Sequence, residues 1–370
     1  MNKASVNNAS VSQEEKERPH IAIIGAGCAG LSLAAQLARQ DKVSLSLFGP
    51  TDDRGDHVWG FWDMPFLSEA AKLSTAHWQK WQIRDTDSVI THSCTNHPYH
   101  ALSSRRWLDH CTAQLEGIAH HKDMLATDAP LPDAQIIADS RPEPPPTGVI
   151  LQHFMGFEIQ TDAAIFDPET AILMDFRTDQ SHGLHFIYLL PFDETTALVE
   201  STYFTPELLP ASAYEADIAT YLQRHFGLDT FTIVRREAGM IPMHVGTLRT
   251  PKSPIHRLIG GAGGAIRPSS GYAFAFIQKQ ISAMMQNSDL QSAPPHSRVD
   301  LWMDKIFLDV LRRNKQTAPR FFIAMAKALK GGEFARFMTG EASITVWLKV
   351  IFAMPKMPFF LSTLRLLFGR

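Results

Sequence analysis

The sequence predicts an α/β protein: a Rossmann-like nucleotide-binding domain, a mainly antiparallel β-sheet inserted into it, and a helical C-terminal region. Three observations predict this. A glycine cluster, Gly25-Ala26-Gly27-Cys28-Ala29-Gly30, lies between two short β-branched runs, Ile21–Ile24 and Val43–Phe48. A proline cluster, Pro142, Pro144, Pro145 and Pro146, breaks the chain, and a series of strand-like segments follows it. From Asp300 onward the pattern is helical, with Pro319, Pro355 and Pro358 as breaks.

The opening element reads β-α-β. Leu31–Gln40 is uncharged up to Arg39 and helix-like, and it lies between the two runs as in a dinucleotide-binding unit. The uncharged stretch from Ile21 to Ala38 approaches the length of a membrane span, but its glycines favour strand, tight turn and helix. Gln135–Ala138 is strand-like and runs into a turn at Asp139-Ser140-Arg141. The inserted layer draws on Gly148–Glu158, Ala171–Phe176, His185–Leu190 and Thr196–Thr202, with turns at Asp167-Pro168 and Asp193-Glu194. A helix is expected over Ser212–Phe226 and another after Phe274, and Leu258–Gly261 is a strand entering a glycine-rich turn. The expected organisation is a flexible leader over 1–19, a discontinuous cofactor domain over 20–146 and 256–300, a β-sheet domain over 147–255, and a helical region over 301–370.

Composition excludes several classes. The 370 residues are 45% hydrophobic and 20% charged, an ordinary globular balance. With 35 basic and 38 acidic residues, the chain lacks the basic excess of a nucleic-acid binder. Cys28, Cys94 and Cys111 are too few and too widely spaced for a disulfide framework or a zinc ribbon, so no metal site is expected and a reducing, cytoplasmic setting is. The polar leader is no secretory signal. From Val346 to Arg370 there is no Asp or Glu, and Lys349, Lys356, Arg365 and Arg370 sit among large apolar residues. That tail reads either as an amphipathic segment on a membrane surface or as helix packed on the body.

The glycine cluster carries the clearest chemistry. Gly25 permits a tight turn, Gly27 lets backbone approach a pyrophosphate, and Gly30 allows close helix–strand packing, while the helix N-terminus offers N–H groups to the anion. The ribose-binding acid expected about 20 residues on is replaced by Phe48-Gly49-Pro50, with Asp52 and Asp53 in the next loop. Gly55-Asp56-His57-Val58-Trp59-Gly60-Phe61-Trp62 reads as a core loop or as the wall beside a flat cofactor or a polyene. A second glycine segment, Gly260–Ala265, precedes Ile266–Tyr272. Close approach of backbone to a further part of a large cofactor, such as a flavin ring, accounts for it.

At these segments the sequence resembles the bacterial lycopene β-cyclases, over roughly residues 20 to 365. The match is an ordered series: the first glycine cluster; His57–Phe61; Tyr99–Arg105; Asp139–Arg141; Gly156–Glu158; Met174–Phe176; Phe186–Pro191; Leu198–Tyr203; Gly239–Pro242; and Arg267–Tyr272. The resemblance implies a flavoprotein fold of p-hydroxybenzoate-hydroxylase type. It implies reduced FAD, NAD(P)H as reductant, and a non-redox reaction that closes the ψ-ends of lycopene, through a monocyclic intermediate, into β-rings. It implies cofactor contacts from Gly25, Ala26, Gly27, Cys28, Ala29, Gly30, Arg105, Asp139, Gly263, Gly264, Pro268, Gly271 and Tyr272.

By the same resemblance Glu200 is the expected acid, on a strand where Leu198, Val199 and Tyr203 would push it towards its neutral form. Glu158 is the second matched acid, either catalytic or structural, with Asp175 behind it. Ser201 stands where many relatives have another acid. Arg267 stands where His is common, and its fixed charge could contact a phosphate or the flavin. Lycopene resides in bilayers, so contact with the inner face of the cell membrane is expected. Met303, Phe307, Leu311, Phe321, Phe322 and Met325 read as core or as the lining of a tunnel. Two other readings share the glycine segments: an FAD-dependent monooxygenase or prenyl reductase, and a non-catalytic carrier of a nucleotide or carotenoid.

Overall fold

The computed structural model describes residues 18–50, 55–247 and 249–368. Most of the leader, Asp52, Asp53 and Arg370 lie outside the described residues.

The β-α-β unit forms as the glycine spacing predicts. His20–Ile24 is the central strand of a five-stranded parallel sheet. Ser44–Phe48 and Ala119–His121 lie on one side of it, and Ile136–Asp139 and His256–Leu258 on the other. Strand order therefore reverses between Ile24 and Asp139, which opens a crevice where an open α/β sheet binds its ligand. The helix Cys28–Gln40 leaves the first strand at that crevice and packs on Phe274–Met284.

The second sheet has seven strands, in the order Thr232–Met243, Ile150–Gln160, Thr196–Thr205, Leu184–Pro191, Thr170–Asp175, Lys80–Arg84 and Val89–Ser93. It is mainly antiparallel, as expected. The boundary at 147 is not where the sheet begins, because two strands come from within 20–146, and Lys80–Arg84 pairs parallel with Thr170–Asp175. Trp81 and Ile83 are buried on alternate positions of that short segment, a period-2 pattern five residues long. One face of the sheet packs on Ala211–Phe226, where Ile218, Tyr221 and Leu222 meet Phe157, Ile159 and Val199. A small sheet of Val58–Trp62, Tyr99–Ser103 and Ala76–Trp78 sits alongside.

The C-terminal region is helical: Arg298–Arg313, Pro319–Ala328, Gly331–Met338, Ile344–Ala353 and Lys356–Phe368. Ser297 and Asp300 form a capping box at the start of the first, and Pro319 occupies the first turn of the second, where its missing N–H costs nothing. Among the described residues no single helix is long and apolar enough to cross a membrane; the last two meet at a bend of 110°.

Candidate active site

The crevice end of the parallel sheet is shaped by close backbone contacts. Gly25 has φ +96°, and a Cβ there would lie 2.3 Å from the Ser140 hydroxyl. That hydroxyl donates to the carbonyls of Ile24 and Gly25 across the strand reversal. A Cβ on Gly30 would lie 1.8 Å from the Gly25 carbonyl oxygen, so only glycine lets the helix start this close to the strand. The helix begins at Gly27 without a side-chain cap and without an acidic residue in its first turn, leaving its first N–H groups to an anion. At the end of the second strand, the usual place of a ribose-binding acid in a dinucleotide fold, Phe48 stacks on His121 and a His120 ring nitrogen donates to the Gly49 carbonyl.

The other expected cofactor residues fall into groups. Gly264 and Pro268 line a cavity of about 310 Å³ together with Ser140, Pro142, Pro242, His244 and Arg249. A Cβ on Gly263 would lie 2.3 Å from the Leu258 carbonyl oxygen, which closes the turn beneath that cavity. Cys28, Gly271 and Tyr272 line a second cavity, of about 330 Å³. Arg105 lies in the first turn of the helix Ser104–Thr112, where its N–H donates to Asp56. Asp139 is fully buried, and its carboxylate is engaged by Arg141, Arg249 and His256; against the burial, the two arginines hold it down to about 2. It anchors the loop that presents Ser140 and reaches the crevice through that neighbour. Arg267 faces neither cavity as a free cation. It is buried, pairs with Asp304 at 2.7 Å and lies over the Trp347 ring, so it ties the glycine turn to the C-terminal helices.

The second cavity is built on alternate positions of the large sheet. Glu200, Thr202 and Phe204 point into it from one strand, Gln152 and Phe154 from a neighbour, Phe186 and Tyr188 from the other, and Gly239 and Ile241 from the edge strand. Period-2 geometry thus places Glu200 on the cavity face and Val199 on the opposite, helix-packed face. Another part of the wall is His57, Val58, Trp59 and Gly60, the aromatic loop expected to flank a flat ligand, with Trp59 stacked on Phe274. Three phenols converge here: the Tyr99 hydroxyl bonds to those of Tyr188 at 3.0 Å and Tyr272 at 3.2 Å. Burial raises all three well above the usual tyrosine range.

Glu200 is 8% exposed, and the site's least expected residue, Glu237, lies one strand further across the sheet. Gly156 pairs with Glu200 on one side and with Glu237 on the other. A Cβ on Gly156 would lie 2.6 Å from Glu200 Cγ and 3.3 Å from Glu237 Cγ, so the two carboxyls meet over a residue without a side chain. Desolvation first, then repulsion from Glu237 and a hydrogen bond shared with it, raise Glu200 well above the carboxylate range. Glu237 accepts from the Arg235 guanidinium and from the Val58 N–H at 3.2 Å. Glu237 thus has a cation and a backbone donor as partners, whereas burial favours the neutral form of Glu200.

Glu158 stands two residues along from Gly156 but is not on the cavity wall. Arg235 Nε donates to it at 3.0 Å, so it steadies the cation that holds Glu237. Asp175 is spent on Arg177 and on the Tyr221 hydroxyl, on the helix side of the sheet. Glu237 escaped the sequence reading because Arg235-Arg236-Glu237 is charged and Pro242 follows. The segment is an edge strand, where proline and exposed charge are tolerated. The signal available was its place two residues before Gly239-Met240-Ile241-Pro242. Five of the six tunnel candidates, Met303, Phe307, Phe321, Phe322 and Met325, line a third, apolar cavity of about 650 Å³; Leu311 does not and is core.

Fold and site together define a class of mixed α/β proteins in which a crevice at the strand reversal of a parallel sheet accompanies a cavity on a large, mainly antiparallel sheet. The fold is shared with a geranylgeranyl bacteriochlorophyll reductase-like protein from Thermoplasma acidophilum, at 12% identity and TM-score 0.57, covering 90% of this chain and 96% of that one. It is shared also with a flavin-dependent halogenase from Xanthomonas campestris, at 11% identity and TM-score 0.54, covering 92% and 90%. Within that class the chain belongs to the lycopene cyclase protein family, whose model matches residues 20–364. Relatives include a lycopene beta-cyclase of Pantoea ananas, 23% identical over 92% of this chain and 96% of that one, and a lycopene beta-cyclase of a Paracoccus species, 26% identical over 91% and 94%.

Proposed function

We propose that the protein is a lycopene β-cyclase that isomerises the ψ-ends of lycopene to β-rings without net oxidation, with Glu200 as the acid. The observation that carries this reading is Glu200, buried and thereby raised well above the carboxylate range, on the wall of a cavity that Cys28, the first residue of the glycine-turn helix, also lines. Family membership and both named relatives favour cyclisation over the monooxygenase, reductase and carrier readings.

The chemistry asks for proton delivery to a terminal double bond, a dry place for the resulting tertiary cation, and removal of a ring proton after the neighbouring alkene closes on it. Glu200 supplies the proton from a site where its charged form is disfavoured. Once it has given the proton, Glu200 is a carboxylate that can take one back from the ring, so the site ends as it began and no electrons are transferred. Glu237, held by Arg235, keeps negative charge close to the developing cation. Phe154, Phe186, Tyr188, Tyr99 and Trp59 exclude water and present ring faces to it.

The reading includes FAD, held by the Gly25–Gly30 turn, the crevice at Ser140 and the Gly260–Gly264 turn, with Cys28, Gly271 and Tyr272 bordering the cavity. When bound and reduced by NAD(P)H, that group would supply an electron-rich surface beside the cation. Docking at the inner face of the cell membrane, where lycopene resides, belongs to the same reading. It is supported by exposed Phe352, Met357 and Phe360 on the last two helices.

Expression in cells that accumulate lycopene tests the function. Ring-closed products of unchanged formula are expected. Oxygenated or saturated products would establish a redox enzyme instead, and unaltered lycopene a carrier.

A further inference from the structure

We propose that the cavity enclosed by the C-terminal helices binds the polyene chain of the substrate, and that the chain is threaded through it from the outer surface of those helices to the Glu200 cavity. This rests on the cyclase reading and adds to it the location and chemistry of a second binding site.

The cavity has the volume of a site for a drug-sized ligand and an almost wholly hydrocarbon lining. A void of this size is unusual in a packed helical region, where close-packed side chains leave few spaces larger than a water molecule. Two ends define its direction. At the inner end it is lined by Ser270, and Ser270 also lines the Glu200 cavity, so the two spaces share a wall residue next to Gly271 and Tyr272. At the outer end it is lined by Phe352, Met357 and Phe360, which are 71%, 66% and 58% exposed. These residues flank the 110° bend between Ile344–Ala353 and Lys356–Phe368. An apolar passage that opens on an apolar surface and ends at a wall shared with the Glu200 cavity fits a long, unsubstituted hydrocarbon. A ligand with a charged or strongly hydrogen-bonding head would find few partners: besides the indoles of Trp302 and Trp347, the polar residues on the wall are Ser269, Ser270, Thr363, Lys356 at the outer end, and Asp304, which is occupied by Arg267.

The geometry predicts dependence on chain length. Met303→Trp and Met325→Trp each fill the passage from a different helix, away from Glu200. The test compares turnover of lycopene with that of a half-length polyene bearing the same ψ-end, in holoenzyme variants whose folding is verified by thermal melting. The ratio of lycopene to short-polyene turnover should fall at least tenfold in both variants. An unchanged ratio in folded variants would overturn the proposal. A second measurement does not depend on turnover: lycopene added in detergent micelles should quench the fluorescence of Trp302 and Trp347, both on the cavity wall, in Glu200→Gln protein. Quenching in a wild-type protein that cyclises neither substrate would sink the cyclase reading and leave the chain site standing. Absence of quenching, or quenching undiminished in the Trp302→Phe/Trp347→Phe variant, would sink the chain site.

Discussion

Glu200 and Glu237 sit on strands that are not neighbours, one on each side of Gly156, and their carboxyls interact because the residue between them has no side chain. Only Glu200 reaches the cavity; Glu237 lies behind it, held by Arg235. The pair divides the labour of an acid site: one carboxyl keeps the proton, the other keeps the charge. Glu200→Gln preserves shape and removes the transferable proton, so cyclisation should fall by at least about 10²-fold, the usual worth of general acid catalysis. Flavin content, measured by absorbance, should be unchanged. Near-normal turnover in this variant would remove Glu200 from the mechanism.

Glu237→Gln addresses the partner alone. Losing a like charge lowers the Glu200 pKa, because repulsion from Glu237 is second only to desolvation in raising it. Activity depends on protonated Glu200 and declines as pH rises through its pKa. The alkaline limb of the pH–rate profile should therefore move to lower pH in the variant, with a smaller loss at acidic pH. A limb that stays in place would show that the two carboxyls titrate independently.

Gly156→Ala tests the meeting point itself. The added methyl would enter within 2.6 Å of Glu200 Cγ, and on a sheet flanked by two paired strands the backbone has little room to yield. Cyclisation should drop by an order of magnitude or more, while thermal stability falls by about 1–3 kcal/mol, the range for overpacking. A variant with normal turnover would show that the carboxyls do not depend on this contact.

Much of this arrangement was legible beforehand, and the exceptions have physical causes. The glycine turn, the β-α-β unit and the Glu200 strand follow from local rules, since tight turns and period-2 burial leave marks within a few residues; the strand order at the crevice does not. Glu237 and the Tyr99–Tyr188–Tyr272 contact depend on the meeting of distant segments, up to 173 residues apart for Tyr99 and Tyr272, and no local pattern encodes it. Lys80–Arg84 was absorbed into the cofactor domain because a five-residue strand carries too little periodicity to announce which sheet it joins. Asp139 matched a family segment, and only the fold reveals that three basic side chains consume its carboxylate.

Asp139 and Glu200 should pull stability in opposite directions with pH. Asp139 is held down to about 2, below its unfolded value near 3.9. Its contribution is present above about pH 4, is lost as pH falls towards 2, and is worth about 2 kcal/mol. Glu200 is raised, so the folded state binds its proton more tightly than the unfolded chain does. Its contribution is present below the unfolded carboxylate pKa and is lost as pH rises towards the raised value. Denaturant melts across pH should show Asp139→Asn flattening the acidic decline and Glu200→Gln flattening the loss above pH 4. Parallel curves for wild type and either variant would contradict the corresponding assignment.

The last two helices bear on how the protein would meet a bilayer. Their cations are partly committed within the fold: Lys349 pairs with Glu333, Arg365 lies 3.8 Å from Asp309, and Lys356 donates to the carbonyls of Ile351 and Phe352. Phe352, Met357, Phe360 and Phe368 remain exposed. Vesicle binding should therefore rest on apolar insertion more than on attraction to anionic headgroups, with neutral vesicles bound nearly as well as anionic ones and little loss on adding salt. Burying one phenylalanine side chain is worth about 1.5–3 kcal/mol, so Phe352→Asp or Phe360→Asp should weaken sedimentation with vesicles by roughly tenfold or more. A steep salt dependence with no effect of these substitutions would transfer the role to the lysines and arginines, and equal recovery of all forms without vesicles would remove the membrane contact altogether.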